Sequence, residues 1–256
     1  MNNDTRHILE QVASGELSPE MAHEALSSGA IRPQNPLAVG MPIRKVLIKG
    51  GAVKLTVIAD PTVALAIAEG EHRIERSDDI LVVHAGSGPQ SQSIDMPQSR
   101  FRNWLDQVMG PGESRLVVRV NPDLPLAVTV AGGKLKVDGM RAGANIDLKY
   151  GMAKLNNGTG PLVLDVLAGS AKADWVFTGE SRIRVDMGEA KVSARPESNV
   201  TISTEVNLGE IKVTTDSGTV STNEGTVGAI KVGNGDGSLL VHSRLGSAHV
   251  SVGTVT

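Results

Sequence analysis

The sequence predicts a mainly β protein, and more narrowly a single-chain β-solenoid (β-helix) of about eleven coils preceded by a small α-helical hairpin. Three observations support this prediction. A five-residue phrase recurs at intervals near 20 residues, a second apolar run follows each copy, and Gly, Asn, Asp and Pro separate the runs. A fixed period of this length is typical of stacked repeats, in which each coil buries its apolar face against its neighbours.

The repeated phrase has the form G-x-(A/L/I)-K-V. Because side chains alternate along a strand, its third and fifth residues should point inward and its fourth outward. At about 4.8 Å per coil, the predicted rod would be roughly 50 Å long. The phrase starts at Gly133, Gly151, Gly169, Gly188, Gly209, Gly228 and Gly246, with looser copies at Gly51, Gly70 and Gly112.

Residues 1–28 follow helical spacing and are predicted to form a helical hairpin. Gly15 fits the end of one helix, and Ser18 with Pro19 fits the start of the next. Helices this short are marginally stable alone, so their apolar residues need a surface to dock against. The candidate contacts with a protein partner are Ile8, Leu9, Val12, Met21 and Leu26.

A proline-containing linker is predicted over residues 29–45, and the solenoid over residues 46–256. One coil is irregular and contains a short inserted helix at 89–111, where Phe101 and Trp104 share a face. This helix would either pack against the rod or bind a partner, since aromatic residues often anchor interfaces.

Composition excludes several classes of function. Aromatic residues make up 2% of the chain, which disfavours sugar-binding and base-stacking surfaces. A net charge of −3 gives no general attraction to nucleic acid, and without cysteine there is no thiolate metal site or disulfide. No cofactor is expected. No apolar leader or membrane-spanning run is visible, so a cytoplasmic location is expected, with peripheral membrane contact left open.

The fourth position of the phrase supplies a candidate basic ladder on one outer face. Like charges at strand spacing destabilise a sheet unless they are offset. Acidic residues at neighbouring positions could offset them as solvated ion pairs, each of which contributes little. Alternatively, the ladder binds an anionic partner such as a membrane surface, a polymer or an acidic protein. The ladder residues are Lys136, Lys154, Lys172, Lys191, Lys212 and Lys231.

The last strand of the chain has no evident cap. A solenoid end presents unpaired backbone groups, which are a template for another chain. The residues His249, Val250, Val252 and Val255 are therefore a candidate assembly end for a homo-oligomer, with a frayed end as the alternative.

The helical segment at residues 8–26 and the β-repeats such as those at Gly188 and Gly209 together resemble YvlB-type and LiaX-type bacterial proteins. The resemblance implies an adhesin-like β-helix domain, a role in the cell-envelope stress response and no enzymatic activity.

Three functions follow from these observations. The leading hypothesis is a non-catalytic, self-associating β-solenoid scaffold or adaptor in an envelope-stress pathway. The alternative is an anion-binding module that uses the basic ladder. A carbohydrate-active β-helix enzyme is disfavoured, because such enzymes need aromatic subsites and paired carboxylates. No catalytic or metal-binding residue is predicted.

Overall fold

The computed structural model describes residues 42–86, 115–215, 218–222 and 225–253, all within the second of two units, Pro42–Thr256. These residues form one mixed sheet of thirteen strands. They contain no helix, and so no helix that could span a membrane. The prediction of a mainly β protein is confirmed. The predicted helical hairpin and the inserted helix, with Phe101 and Trp104, lie outside the described residues.

In chain order the strands are β1 (Lys45–Ala59), β2 (Ala66–Gly70), β3 (His72–Ser77), β4 (Ile80–Ala85), β5 (Arg115–Val120), β6 (Leu126–Asp138), β7 (Ala144–Gly160), β8 (Leu162–Phe177), β9 (Glu180–Ala194), β10 (Val200–Thr215), β11 (Gly218–Thr222), β12 (Gly225–Val232) and β13 (Gly237–Val252).

Long parallel strands make up most of the sheet. Its main path runs β11-β10-β13-β9-β8-β7-β6-β1-β4-β3. From β6 to β7, and from β7 to β8 as far as Leu155, each paired residue lies opposite the one 18 positions further on, as Leu126 does with Ala144 and Ala144 with Leu162. The sequence repeat therefore corresponds to strand pairing in register.

The glycine of the phrase marks a bend inside each of the long strands β6 to β10 and β13. Gly169 has a φ of 140°, which residues with a Cβ rarely adopt. A Cβ added there would lie 1.9 Å from the carbonyl oxygen of Gly151, so only glycine fits. The bend glycines stack directly on one another in the order Gly133, Gly151, Gly169, Gly188, Gly246 and Gly209.

One apolar core forms on the inner side of these strands. Before the bend of β7 the buried residues include Ile146 and Leu148, and after it they include Ala153 and Leu155. The buried positions thus change from even to odd numbers at the glycine, and both halves of the strand contribute to the same core. In β8 the buried Trp175 donates a hydrogen bond of 2.9 Å from Nε1 to the carbonyl oxygen of Gly160.

The last strand, β13, lies inside the sheet rather than at its end. Val250 pairs with Val192 of β9 on one side and with Val213 of β10 on the other. The predicted open assembly end at His249, Val250 and Val252 is therefore wrong, because this strand has parallel partners on both sides. Val255 lies outside the described residues.

Short antiparallel strands occupy the far side of β10. β11 pairs with its second half, and β12 pairs with its first half. The phrase at Gly228 falls in β12, so it does not continue the parallel stack. The phrase at Gly70 likewise leads into β3, which is antiparallel to β4.

Candidate anion-binding groove

A row of basic side chains crosses the outer face of the sheet after the glycine bend. Lys154 lies opposite Lys172 on the next strand, and Lys172 lies opposite Lys191. His249 of β13 pairs with both Lys191 and Lys212. Neighbouring strands are about 4.8 Å apart, so the charges recur at that spacing. In sheet order this lysine row is Lys136, Lys154, Lys172, Lys191, His249 and Lys212.

Five of the six predicted ladder lysines belong to the lysine row, and Lys231 does not. Because β12 runs antiparallel to β10, Lys231 lies opposite Thr201 instead of a basic residue. The copies of the phrase near the start of the chain are also out of register. Lys54 pairs with Lys134, and Thr56 takes the position opposite Lys136.

A second row of polar side chains runs two residues further along each strand. The prediction treated the acids of this row as charge partners and missed its hydroxyl groups. The residue directly after the five-residue phrase is nevertheless polar in each of these strands. Hydroxyl and amide groups can donate hydrogen bonds to a bound oxygen atom. The polar row consists of Asp138, Asn156, Asp174, Ser193, Ser251 and Thr214.

The members of both rows on β7, β8, β9, β13 and β10 line an open groove of about 560 Å³, and Lys136 and Asp138 on β6 lie outside its lining. Its charged lining consists of five cations and one carboxylate, an excess of four positive charges when His249 is neutral. The charged residues that line it are Lys154, Lys172, Lys191, Lys212, Arg195 and Asp174.

Arg195 is fixed at one side of the groove by Asp174. Its Nε and Nη2 atoms donate to the two carboxylate oxygens at 2.8 and 2.7 Å, and Nη2 also contacts Oδ1 of Asn157. The hydrogen bonds from Arg195 lower the pKa of Asp174, and partial burial opposes them. The same pair raises the pKa of Arg195. Asp174 thus stays ionised and is engaged by Arg195.

The row lysines differ in their carboxylate partners. Nζ of Lys191 lies 2.8 Å from Oε1 of Glu189, and Nζ of Lys136 lies 3.6 Å from Oδ2 of Asp138. Within the described part of the chain, no carboxylate oxygen lies within 4.0 Å of the ammonium groups of Lys154, Lys172 or Lys212. Lys154 and Lys172 lie on neighbouring strands and repel each other, and a bound anion would relieve that repulsion.

The charged groups of the groove differ from those of a glycoside hydrolase or a metal site. Asp174 is the single carboxylate in its lining, whereas glycoside hydrolysis uses a pair. The described residues contain no cluster of three His, Asp or Glu side chains that could hold a metal ion. The arrangement is suited to electrostatic binding.

No protein-family model and no curated protein matches this chain. Among solved structures it is similar to a protein from Clostridium sporogenes whose proposed role is cell adhesion, with 14% sequence identity and a TM-score of 0.45. The match covers 84% of this chain and 97% of that one. A similarity of this extent supports no argument about function.

Proposed function

We propose that this protein is a non-catalytic, anion-binding β-solenoid whose lysine row holds an extended polyanion. Three features support the solenoid: parallel pairing at the repeat period, stacked glycine bends and a single apolar core shared by successive strands. In this proposal β1, β6 to β10 and β13 are successive coils, with β13 inserted between the coils of β9 and β10.

The observation that supports anion binding is the group of unpaired lysines in the groove. Lys154, Lys172 and Lys212 have no carboxylate oxygen within 4.0 Å among the described residues, although the charge of Lys172 also acts on Asp174, and all three lie in a lining with four excess positive charges. Lysine is a flexible point charge, so the row suits repeated anionic groups better than one planar ligand. The polyanion would run across the strands, along the row, and the polar row would hydrogen-bond its oxygen atoms.

The proposal is tested by the affinity for inorganic polyphosphate, followed by fluorescence anisotropy of a labelled chain in about 50 mM salt. Changing Lys154, Lys172 and Lys212 to Gln should weaken binding about tenfold, since each exposed contact contributes roughly 0.5 kcal/mol. The control changes Lys49, Lys149 and Lys231 to Gln, which alters the net charge equally and leaves the row intact.

The control variant should bind within about twofold of the original protein. Equal losses in both variants would show that net charge, not the row, governs binding. No measurable binding by the unmodified protein would refute the proposal.

The self-associating scaffold in an envelope-stress pathway remains a prediction. It relied on an open C-terminal strand, and β13 is paired on both sides. Strand pairing between copies would use the edge strands of the described sheet, β2, β3, β11 or β12. The residues predicted to bind a protein partner lie outside the described part of the chain.

A further inference from the structure

An apolar ridge runs along the bend beside the lysine row. It consists of the residues immediately before three stacked glycines, namely Met187 on β9, Leu245 on β13 and Leu208 on β10. Register places Met187 opposite Leu245 and Leu245 opposite Leu208. Their exposed fractions are 45%, 39% and 62%, respectively. The three side chains therefore form a contiguous apolar surface that the described residues leave uncovered.

Large aliphatic side chains occupy this position on β9, β13 and β10. At the equivalent position β6 has Gly132, β7 has Tyr150 and β8 has Ala168. The fold therefore does not require a large apolar side chain before the bend. Contiguous exposed apolar side chains of this kind commonly mark an interaction surface.

The ridge lies on three of the six strands that contribute to the lysine row. On each strand the basic residue follows four positions after the apolar one, as Lys212 follows Leu208 and Lys191 follows Met187. Because the bend glycine lies between them, the two positions are closer than the roughly 13 Å that four residues of extended strand span, and lysine side chains can reach part of that distance. One partner surface can therefore contact the apolar ridge and the ammonium groups together.

We infer that the partner is the surface of an anionic lipid bilayer. The apolar ridge enters the boundary between headgroups and acyl chains, and the lysine row contacts the anionic headgroups. This inference rests on the proposed function and names its partner. A soluble polyanion would use the row but has no apolar part to cover the ridge.

The charges on this face favour a bilayer over a second copy of the chain. A copy docked on the ridge would bring its own lysine row close to this one, and like charges would repel. Two acids, Glu189 and Glu210, lie between the ridge and the row. Glu189 is paired with Lys191 at 2.8 Å. The four lysines of the groove lining and Arg195 together outnumber Glu189, Glu210 and Asp174 by five to three.

The test measures co-sedimentation of the full chain with phosphatidylcholine vesicles, with and without about 30% phosphatidylglycerol. Two variants are compared: a ridge variant with Met187, Leu208 and Leu245 changed to Gln, and the variant with Lys154, Lys172 and Lys212 changed to Gln. A control changes Ile67, Ile74 and Val220 to Gln, which are comparably exposed and lie elsewhere. Polyphosphate affinity is measured for every variant.

The unmodified protein should bind anionic vesicles and not neutral ones. The ridge variant should lose at least tenfold in vesicle affinity while its polyphosphate affinity stays within twofold, and the control should match the unmodified protein. The lysine variant should lose both affinities. Fluorescence of the buried Trp175 reports that each variant is folded. The single change Leu208→Gln provides a milder variant, whose vesicle affinity should also fall.

Undiminished vesicle binding by the ridge variant would overturn the bilayer inference and leave anion binding intact. Undiminished polyphosphate binding by the lysine variant would instead overturn the proposed function. A dimer in light scattering that the ridge variant converts to a monomer would assign the ridge to a second copy and also overturn the inference.

Discussion

Arg195 and Asp174 form a partly buried pair at the edge of the groove, with 27% and 31% of their side chains exposed. The pair has two short hydrogen bonds, and Arg195 also contacts Asn157 on β7. It therefore joins the end of β9 to β8 and β7. Because both side chains remain in contact with water, the pair should stabilise the fold only modestly.

The change Asp174→Asn should lower the free energy of unfolding at pH 7 by about 1 kcal/mol or less. The pKa of Asp174 is lowered in the folded state. Its contribution to the free energy of unfolding is therefore present when the pH is above the ordinary pKa of 3.8, and it is lost as the pH falls through the lowered pKa. Urea unfolding of both proteins at neutral pH and below about pH 3 measures this. A difference that grows in acid would contradict the assignment. Asp123→Asn, in a more exposed pair with Arg141, is the control.

Two hydroxyl groups in the core lack partners. Thr204 on β10 and Ser243 on β13 are 2% and 0% exposed, and neither hydroxyl oxygen has a hydrogen-bond partner among the described residues. A buried hydroxyl without a partner costs free energy, because it loses its hydrogen bonds to water. The contacts between β10 and β13 are therefore weaker than an apolar core would make them.

The change Thr204→Val should raise the free energy of unfolding by about 1 kcal/mol, because it keeps the shape of the side chain and removes the unsatisfied hydroxyl. Thermal unfolding monitored by circular dichroism would measure the effect. Thr201→Val is the matched control. The hydroxyl of Thr201 donates to the carbonyl oxygen of Gly235, so its removal should not raise the free energy of unfolding. A lower melting temperature for Thr204→Val would show that its hydroxyl is satisfied in solution.

At the level of elements, the stacked glycines allow the long strands to pair closely at the bend. Gly133 lies against the backbone of Val53 on β1, and each of the other bend glycines lies against the backbone of its neighbour in the stack. The bend also directs both the apolar ridge and the lysine row outward. The functional face thus depends on the same glycines as the fold.

The change Gly169→Ala should destabilise the protein by more than about 3 kcal/mol, because its Cβ would meet the carbonyl oxygen of Gly151 at a φ that alanine avoids. Gly179→Ala separates the two causes. Gly179 has a φ of 70° but no atom within 4 Å of an added Cβ, so the change should cost only about 1–2 kcal/mol. Urea denaturation measures both. Similar losses would show that backbone strain, not contact, decides the outcome.

Sequence periodicity could predict the strand type, the inward residues and most of the lysine row. It could not predict the position of β13, because β10 and β13 both have the same bend glycine and the same inward pattern after it. Either strand could pair with β9, so the repeat does not determine the order of β10 and β13 in the sheet. The error at Lys231 has a different cause, since β12 fits the phrase but turns back antiparallel to β10.

At the scale of the whole molecule, the positive charges of the groove contrast with the small negative net charge of the chain. The chain has a net charge of −3, whereas the groove lining has four excess positive charges. The rest of the sequence is therefore acidic on balance. This separation allows a protein with no overall attraction to polyanions to bind one at a single face.

Binding of polyphosphate should weaken as salt rises, because each lysine contact releases counterions from the polymer. A plot of log affinity against log salt concentration should be linear, and its slope should fall by about two to three when Lys154, Lys172 and Lys212 are changed to Gln, roughly 0.7–0.9 for each lost contact. The control with Lys49, Lys149 and Lys231 changed to Gln should keep the original slope, because those residues lie outside the groove lining. Anisotropy titrations between about 50 and 200 mM salt measure all three slopes. If the slope of the lysine variant equals that of the unmodified protein, the contacts that release counterions lie outside the lysine row.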